Sequence, residues 1–313
     1  MTTMLHEEDV LALGPVGAVA AVREALIGGL DPDGDVPRAI IPLAHGQGLL
    51  MPSESGGWFG VKIATVAPGN AARGLRRINA TYLLHGSETL TPVAILDGVA
   101  LTTLRTPAVS VAACLDRLRA LADARGGLRL VVFGAGPQGE GHVATVRAHV
   151  PVADVTVVTR RGGPVPGWAD RHTTADGVET AAPVSRADVV VTATSAREPV
   201  VDGRLVRDGA VVLAVGSHEP DVRELDGALM GRATVVVESR ETALREAGDV
   251  VMAMREGSLP PESLVTMKDL IASRAVVPAD RPLVVKTCGM AWQDLVVAVA
   301  AYRRKGGTPG ERS

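Results

Sequence analysis

The segment from Leu128 to Gly139, LRLVVFGAGPQG, constrains the fold more than any other part of the chain. A valine-rich apolar run leads into a glycine-rich turn that opens a segment typical of a helix. Gly134, Gly136 and Gly139 have the G-x-G-x-x-G spacing of a dinucleotide-binding βαβ unit, in which glycines allow a sharp turn and close approach to a pyrophosphate. A second β-like run follows at βαβ distance. The pattern predicts a nucleotide-binding turn, against the alternative of a strand-turn-helix without a ligand.

Strands and helices alternate from this turn onward. The candidate strands are Leu130–Phe133, Val155–Thr159, Ala187–Thr192, Ala210–Val215 and Thr234–Val237. Continuous valine-rich runs are typical of parallel strands that are buried on both faces. We therefore predict an α/β fold with a Rossmann-type doubly wound parallel sheet over residues 125–283.

The first 124 residues have a different pattern, with one long helix and short β-like runs that glycine and proline separate. The predicted helix covers Glu7–Leu30, and the β-like runs are Ala39–Pro42, Gly48–Met51, Gly60–Val66, Asn79–Leu84 and Thr91–Leu96. Thr106 and Pro107 have the pattern of an N-cap and first-turn proline for a helix that ends near Ala124. We predict an α+β substrate and dimerisation domain over 1–124. It is completed by residues 284–313, whose helix Ala291–Arg303 should return to it.

Composition excludes several classes of protein. The 313 residues have a formal net charge of −3 and no long basic run, which argues against nucleic-acid binding. The acidic start is unlike a signal peptide, and no apolar run approaches the roughly 20 residues of a membrane helix. Cys114 and Cys288 are interpreted as buried free thiols of a cytoplasmic protein, with a disulfide as the alternative. The histidines lack metal-ligand spacing, so we expect no metal.

The residues after the second Rossmann strand indicate which nicotinamide binds. NAD-binding folds usually have an acid there for the ribose 2′-hydroxyl, whereas this strand ends in Thr159, Arg160 and Arg161. A guanidinium holds a 2′-phosphate through charge-assisted hydrogen bonds. NADP(H) is therefore favoured, with NAD(H) or two merely solvated arginines as alternatives. After the next strand, the small residues Ala193, Thr194 and Ser195 are candidates for the nicotinamide side of the crevice.

Several motifs in order along the chain resemble those of the ornithine cyclodeaminase/mu-crystallin family. They are Val61-Lys62-Ile63 with Pro68-Gly69-Asn70, Leu96-Asp97-Gly98 with Leu101 to Thr106, Gly134-Ala135-Gly136-Pro137-Gln138, Ala214 to Asp221 with Arg223-Glu224-Leu225, Glu238-Ser239-Arg240, Ala247-Gly248-Asp249, and Lys286 to Ala291. The resemblance covers nearly the whole chain.

The resemblance implies a homodimer that transfers hydride between a nicotinamide and the α-carbon of an amino or imino acid. We expect the glycine turn, the two strand ends above and Met290 to contact the cofactor. The turn residues are Gly134, Ala135, Gly136, Pro137, Gln138 and Gly139. The known activities of the family are cyclodeamination of ornithine or lysine, reduction of cyclic ketimines, and dehydrogenation of alanine or other amino acids.

Three cations match the residues with which the family binds the substrate carboxylate: Arg38, Lys62 and Arg105. A guanidinium fork suits a planar carboxylate, and a desolvated Lys62 would have a lowered pKa that helps proton transfer. The alternative for each cation is a surface position or an ion pair within the protein. We consider this alternative least applicable to Arg105. Met51 is a predicted substrate contact, with Leu49 and Trp58 as further candidates for the pocket lining.

Two departures from the family pattern favour one activity. Ornithine cyclodeaminases have acids where this chain has His218 and Leu49, so cyclodeamination of a cationic diamine is disfavoured. A reductase needs only a bound imine, a hydride and a proton. Lys62 or His218 would supply the proton. We predict an NADPH-dependent imine reductase of amino-acid metabolism. The alternatives are a cyclodeaminase, an alanine-type dehydrogenase, or a non-catalytic NADP(H)-binding protein.

Overall fold

The protein is described by a computed structural model that covers residues 2–175 and 178–308. The contacts divide the chain into two compact units. The first unit comprises Met1–Thr106 with Met290–Ser313, and the second comprises Pro107–Gly289. The domain boundaries predicted from the sequence were 124/125 and 283/284. The assignment of substrate binding and dimerisation to the first unit and of nucleotide binding to the second stays a prediction.

The first unit contains a six-stranded mixed sheet. Its strands are β1 Thr3–Leu5, β2 Ala39–Leu43, β3 Gly46–Ser55, β4 Trp58–Val66, β5 Ile78–Gly86 and β6 Pro92–Asp97, in the order β1-β6-β5-β4-β3-β2. Only β1 pairs in parallel; the others form an antiparallel meander. The expected β-like runs all correspond to strands, most of them longer than predicted.

Among the described residues, helices α1 Glu7–Leu11, α2 Gly14–Ile27 and α10 Ala291–Arg304 lie wholly within the first unit. The prediction of one helix over Glu7–Leu30 was wrong. Gly14 has a φ of +70°, which interrupts the helix, and Pro15 lies in the first turn of the next one. Helix α10 packs against α2, β3 and β4. Its return to the first unit was predicted.

The long helix α3, Gly98–Arg125, begins well before the predicted start at Thr106–Pro107. The Asp97 carboxylate accepts hydrogen bonds from the amides of Val99 and Ala100, both at 2.9 Å, and so caps the helix. Pro107 therefore lies inside the helix. An 18-residue window of α3 has a mean hydropathy of 1.4 and is 78% buried. The expectation that no apolar stretch is long enough to span a membrane was therefore wrong, because α3 has the required length and composition. Its burial nevertheless marks α3 as a core helix.

The second unit contains an eight-stranded, wholly parallel sheet, which confirms the predicted fold class. Its strands are β7 Leu128–Phe133, β8 Val152–Thr159, β9 Arg171–Thr174, β10 Val189–Thr192, β11 Val211–Ala214, β12 Thr234–Val237, β13 Val265–Thr266 and β14 Leu283–Lys286. The order is β13-β12-β14-β11-β10-β7-β8-β9. The last strand is thus inserted between two earlier ones, and the carboxyl ends of all eight share one edge.

Short helices connect the strands of the second unit. They are α4 Pro137–Arg147, α5 Ala181–Arg186, α6 Gly227–Arg232, α7 Arg240–Glu246, α8 Gly248–Arg255 and α9 Met267–Ile271. The central strands are buried throughout, as their valine-rich sequences predict.

Candidate functional site

A buried cluster of charged side chains lies in the first unit, where Lys62 and Arg105 share the carboxylate of Asp294. Lys62 Nζ is 2.7 Å from Asp294 Oδ2, and Arg105 Nε is 3.1 Å from Asp294 Oδ1. Lys62 is 3% exposed, Arg105 5% and Asp294 0%. We call these three residues the cation cluster. The cluster contains two positive charges and one negative charge. It therefore carries an excess positive charge that is buried away from water.

Neighbouring polar groups orient the two cations. Lys62 Nζ also lies 3.4 Å from the Thr102 hydroxyl, and Arg105 Nη1 donates to Gln293 Oε1 at 2.8 Å. Lys62 comes from β4, Arg105 from α3, and Asp294 from the first turns of α10. Three separate elements therefore contribute to the cluster, and their packing determines its geometry.

The electrostatics of the cluster change the pKa of Lys62. Burial lowers the pKa of Lys62 to about 8; the positive charges of Arg105 and Arg38 act in the same direction, and Asp294 opposes them. An ammonium with a pKa near 8 is mostly protonated at neutral pH but releases its proton readily. The sequence-based expectation of a lowered pKa for Lys62 agrees with this environment.

Two buried side chains lie next to Lys62 on neighbouring strands of the sheet. Met51 of β3 and Tyr82 of β5 are the register partners of Lys62, so the three side chains share one face. Met51 packs in a small apolar cluster with Leu49, a residue already singled out from sequence. Burial, aided by nearby carboxylates, raises the pKa of Tyr82 well above its usual range, so its hydroxyl stays neutral.

Asp35 is a second carboxylate of this unit that sequence reasoning missed. It accepts a hydrogen bond from the amide of Trp292 at 2.9 Å and thereby caps the start of α10. Burial raises the pKa of Asp35, while hydrogen bonds from Ser53 and Trp292 oppose the shift. By holding the first turn of α10, Asp35 positions Asp294 two residues further on.

The structure also corrects the sequence interpretation of Arg105. It lies inside α3 instead of preceding a helix cap, and it is ion-paired with Asp294. Arg105 was expected to be the cation least suited to ion pairing. The partner, Asp294, was not among the predicted site residues. Its only signal in the sequence is an acid in a mostly apolar stretch of helix, AWQDLVVAVA.

In the second unit, the glycine turn has the shape that a pyrophosphate requires. Gly134 has a φ of +108°, and a Cβ there would lie 2.5 Å from the carbonyl oxygen of Ala193. A Cβ on Gly139 would lie 2.3 Å from the carbonyl oxygen of Gly134, whereas Gly136 faces open space. Gly136 is the N-cap of α4, which begins at Pro137. The turn therefore exposes a helix N-terminus beside an open cradle, and its residues fit a dinucleotide.

The other predicted cofactor residues of this unit lie at the same edge of the sheet. Thr159 ends β8, Arg160 and Arg161 follow it, and both arginines are exposed. Ala193, Thr194 and Ser195 follow β10, and the exposed His218 follows β11. Met290 belongs to the first unit, at the N-cap of α10. The roles of all these residues stay predictions.

Buried carboxylates that the sequence did not assign hold the loops at this edge. Glu224, fully buried, accepts hydrogen bonds from the hydroxyls of Thr192 and Thr194 and from the amides of Thr194 and Gly216, all within 2.9 Å. Its own amide donates to Asp249 at 2.7 Å. Glu224 thus joins the loops after β10 and β11, including the loop that carries His218.

A lysine and a second glutamate continue this network. Lys286 Nζ lies 3.2 Å from Asp249 Oδ2 and donates to the carbonyl of Ser217 at 2.6 Å. Burial lowers the pKa of Lys286, but Asp249, Cys288 and Glu224 together outweigh burial, so that pKa is raised and the side chain is charged. Glu238 accepts from the amides of Cys288 and Gly289 after β14. Neither Cys114 nor Cys288 forms a disulfide; Cys114 is buried as predicted, whereas Cys288 is only half-buried.

Comparison with known proteins places the chain among relatives of the same length. The family model for the ornithine cyclodeaminase/mu-crystallin family matches residues 22–308. The mouse ketimine reductase mu-crystallin is 31% identical over 87% of this chain and 86% of its own. The Delta(1)-pyrroline-2-carboxylate reductase of Paracoccus denitrificans is 35% identical over 77% of each chain. A solved archaeal alanine dehydrogenase dimer with bound NAD is 25% identical, with a TM-score of 0.83 over 100% of this chain and 99% of that one.

Proposed function

The chain belongs to the ornithine cyclodeaminase/mu-crystallin family, and we propose that it is an NADPH-dependent reductase of small cyclic or linear α-imino acids. The relatives from mouse and Paracoccus denitrificans are named as reductases of a ketimine and of Delta(1)-pyrroline-2-carboxylate. The latter substrate is a cyclic imine with an adjacent carboxylate. The replacement of family acids by His218 and Leu49 further supports reduction over cyclodeamination.

The observation that carries this proposal is the excess positive charge of the cation cluster. A buried charge without a partner is costly, so an arrangement of two cations on one carboxylate suits an anionic ligand. The carboxylate of an α-imino acid supplies that negative charge. Arg105 binds it as a fork, Arg38 adds charge, and Met51 contributes an apolar contact.

Lys62 has a second task in this proposal. Hydride addition to the α-carbon requires a proton on the imine nitrogen, and an ammonium with a pKa of about 8 can donate one at neutral pH. Lys62 then regains its proton from water or from the protein. His218, exposed at the strand edge of the second unit, is the alternative donor.

The nicotinamide cofactor supplies the hydride when it is bound. The glycine turn from Gly134 to Gly139 would hold its pyrophosphate, and Ala193, Thr194 and Ser195 would border the nicotinamide. Met290 is a further expected contact. NADP(H) is proposed over NAD(H) because arginines and no acid follow β8. The alanine dehydrogenase relative holds NAD, so the preference needs its own test.

A direct assay tests the reaction. The protein is mixed with NADPH and Delta(1)-pyrroline-2-carboxylate, and loss of the reduced-nicotinamide absorbance is followed, with ornithine and alanine as parallel substrates in the oxidative direction. Reduction of the imino acid is expected. Formation of proline and ammonia from ornithine without imine reduction would favour a cyclodeaminase, and nucleotide binding without any turnover would favour a binding protein.

A pair of arginine variants tests the cofactor preference. Arg160→Ala removes a cation next to the expected 2′-phosphate, so the Kd for NADPH should rise about tenfold while that for NADH changes little. Arg171→Ala is the matched control, because Arg171 is an exposed arginine already paired with Asp154. Equal losses for both nucleotides would contradict the assignment.

We also propose that the protein is a homodimer through the outer face of the first sheet. Ile41, Leu43 and Ile63 lie on the face opposite Lys62 and are 41%, 52% and 42% exposed. Exposed apolar residues grouped on a sheet face are typical of an interface. Ile63→Asp should give a monomer in size-exclusion chromatography with light scattering. Val276→Asp, at an isolated residue 91% exposed, should leave the assembly unchanged.

The cellular location is part of the same proposal. Cys114 and Cys288 form no disulfide, as is usual for a protein of the reducing cytoplasm. The single apolar helix of membrane length among the described residues is mostly buried. Cytoplasmic location therefore fits, and fractionation of cells that express the tagged protein tests it.

A further inference from the structure

The first unit contains a cavity whose described lining does not include the cation cluster. It has a volume of about 600 Å³ and lies between α2, α10 and the turn that joins β3 to β4. Apolar side chains form much of its walls, among them Ala21, Ala25, Leu295 and Val299. Leu295 and Arg303 both line it and are eight residues apart on α10, so the cavity extends about 12 Å along this helix. This space is large enough for a small organic molecule with an apolar body.

Two hydrogen-bond donors line the part of the cavity near the end of α10. Nε1 of Trp58 is buried and has no hydrogen-bond partner among the described residues. The Arg303 guanidinium lies over the same indole ring, 5.8 Å from its centre, and forms no ion pair within the described part of the chain. A buried N–H without an acceptor is costly, and a guanidinium binds a carboxylate through charge-assisted hydrogen bonds. These two donors therefore suit a ligand carboxylate.

Two carboxylates line the same cavity. They belong to Glu24 of α2 and to Asp31, which follows this helix, and both residues are exposed. Their two negative charges exceed the single positive charge of Arg303, so the cavity also attracts a cationic group. A molecule with one carboxylate, one ammonium and an aliphatic body matches the donors, the carboxylates and the apolar walls together.

We propose that this cavity is an effector site for a zwitterionic α-amino acid with an aliphatic side chain. The carboxylate of the amino acid binds Arg303 and Nε1 of Trp58. Its ammonium faces Glu24 and Asp31, and its side chain packs against the apolar walls. The inference goes beyond the proposed reductase, whose substrate carboxylate is bound at the cation cluster.

The cavity shares two secondary-structure elements with the cation cluster. Leu295 adjoins Asp294 on α10, and Trp58 lies four residues before Lys62 on β4. Side chains an even number of residues apart in a strand share one face, so Trp58 and Lys62 point to the same side of the sheet. A ligand that packs against both elements restricts the movement of Asp294 relative to Lys62. Binding at the two sites is therefore coupled, and each ligand changes the affinity for the other by the same factor.

Isothermal titration calorimetry with L-leucine as the probe tests the site. One molecule should bind per chain, and Arg303→Ala should raise the Kd about tenfold because a charge-assisted hydrogen bond is lost. The matched control is Arg304→Ala, which removes an exposed neighbour on α10 that is not among the lining residues. Glu24→Gln is a second, independent variant and should raise the Kd about threefold, as expected for an exposed charge. Thermal unfolding of each variant checks that the fold is retained.

Analogues of the probe test which of its groups are recognised. L-Leucinamide lacks the carboxylate and 4-methylpentanoate lacks the ammonium, so each should bind about tenfold more weakly than L-leucine. L-Aspartate has a similar shape but places a further negative charge near Glu24 and Asp31, and it should also bind weakly. If L-leucinamide binds as tightly as L-leucine, Arg303 holds no ligand carboxylate and the inference is overturned.

The effector role is tested with pyrrole-2-carboxylate, a planar carboxylate that suits the cation cluster. Its Kd in the native protein should change about threefold and reach a plateau as L-leucine saturates, and it should not change in Arg303→Ala. A Kd that rises in proportion to L-leucine would show competition for one site. That result, an unchanged Kd, or equal L-leucine binding by native protein and Arg303→Ala would overturn the inference. These measurements need no turnover, so they are independent of whether the protein reduces an imino acid.

Discussion

The two units each contain a buried cluster of charged side chains, and the clusters have opposite balances of charge. In the first unit, Lys62 and Arg105 share one carboxylate, that of Asp294. In the second unit, Lys286 pairs with Asp249, and the charge of Glu224 also acts on Lys286. Glu224 itself is stabilised mainly by amide and hydroxyl donors. Burial alone therefore does not distinguish a binding site from a structural support.

The difference lies in where the hydrogen bonds go. The carboxylate of Glu224 is satisfied by backbone amides and hydroxyls of the loops it joins, so its charge stabilises loop geometry. The cations of the first unit have few backbone partners and keep positive charge in excess, which suits an incoming carboxylate. An unbalanced buried cluster therefore suits a charged ligand, whereas a cluster satisfied by the backbone suits the positioning of loops.

The largest effect is expected from removing the proposed proton donor, Lys62. Lys62→Met should lower kcat/KM for the imino acid about 1,000-fold, since it removes both the proton and a carboxylate contact. In the native enzyme, kcat should fall as the pH rises through about 8, where Lys62 loses its proton. Steady-state kinetics across pH measure both. The control is Lys268→Met, which replaces a half-buried lysine of α9. If kcat/KM falls only slightly in Lys62→Met, His218 is favoured as the proton donor.

The next effect concerns the shared carboxylate. Asp294→Asn leaves two buried cations without their counter-charge, so the free energy of unfolding should fall by about 3 kcal/mol. Because Asp294 raises the pKa of Lys62 against burial, its removal should also move the alkaline limb of the pH profile to lower pH. Urea unfolding and pH–rate profiles measure these changes. The control is Asp154→Asn, which breaks a more exposed ion pair with Arg171 and should lower the free energy of unfolding by less than about 1 kcal/mol. An equal loss of stability in both variants would contradict the special role of the buried carboxylate of Asp294.

The smallest effect is expected in the second unit. Glu224→Gln replaces two accepting oxygens by one and faces an amide group toward donors, so the free energy of unfolding should fall by about 2 kcal/mol. KM for the nicotinamide should rise because the loops after β10 and β11 loosen. The pH dependence of kcat should keep its limb near 8. A shifted limb would mean that Glu224 acts on the reaction and is not only a support.

Local signals predicted most elements of the second unit. The valine-rich runs correspond to strands, and Thr234–Val237 has the predicted bounds. The short strands β9 and β13 were missed because their sequences contain no apolar run. The place of β14 between β11 and β12 has no local signal either, since strand order depends on contacts between distant segments.

The errors in the first unit have local causes that other signals outweighed. Thr106–Pro107 has the pattern of a helix start, yet Asp97 caps α3 nine residues earlier and burial of the helix offsets the lost hydrogen bond at Pro107. The break between α1 and α2 was signalled by Gly14-Pro15. In both places the apolar pattern alone did not decide where a helix began.

The sequence by itself determined the glycine turn, the parallel core and the identity of the cations Lys62 and Arg105, because steric permissiveness, burial and charge are properties of single residues and short runs. Only the tertiary structure decided how those cations are used. Lys62 and Asp294 are 232 residues apart and meet because α10 packs on β4. A buried charge needs a partner, and long-range packing decides which partner it has.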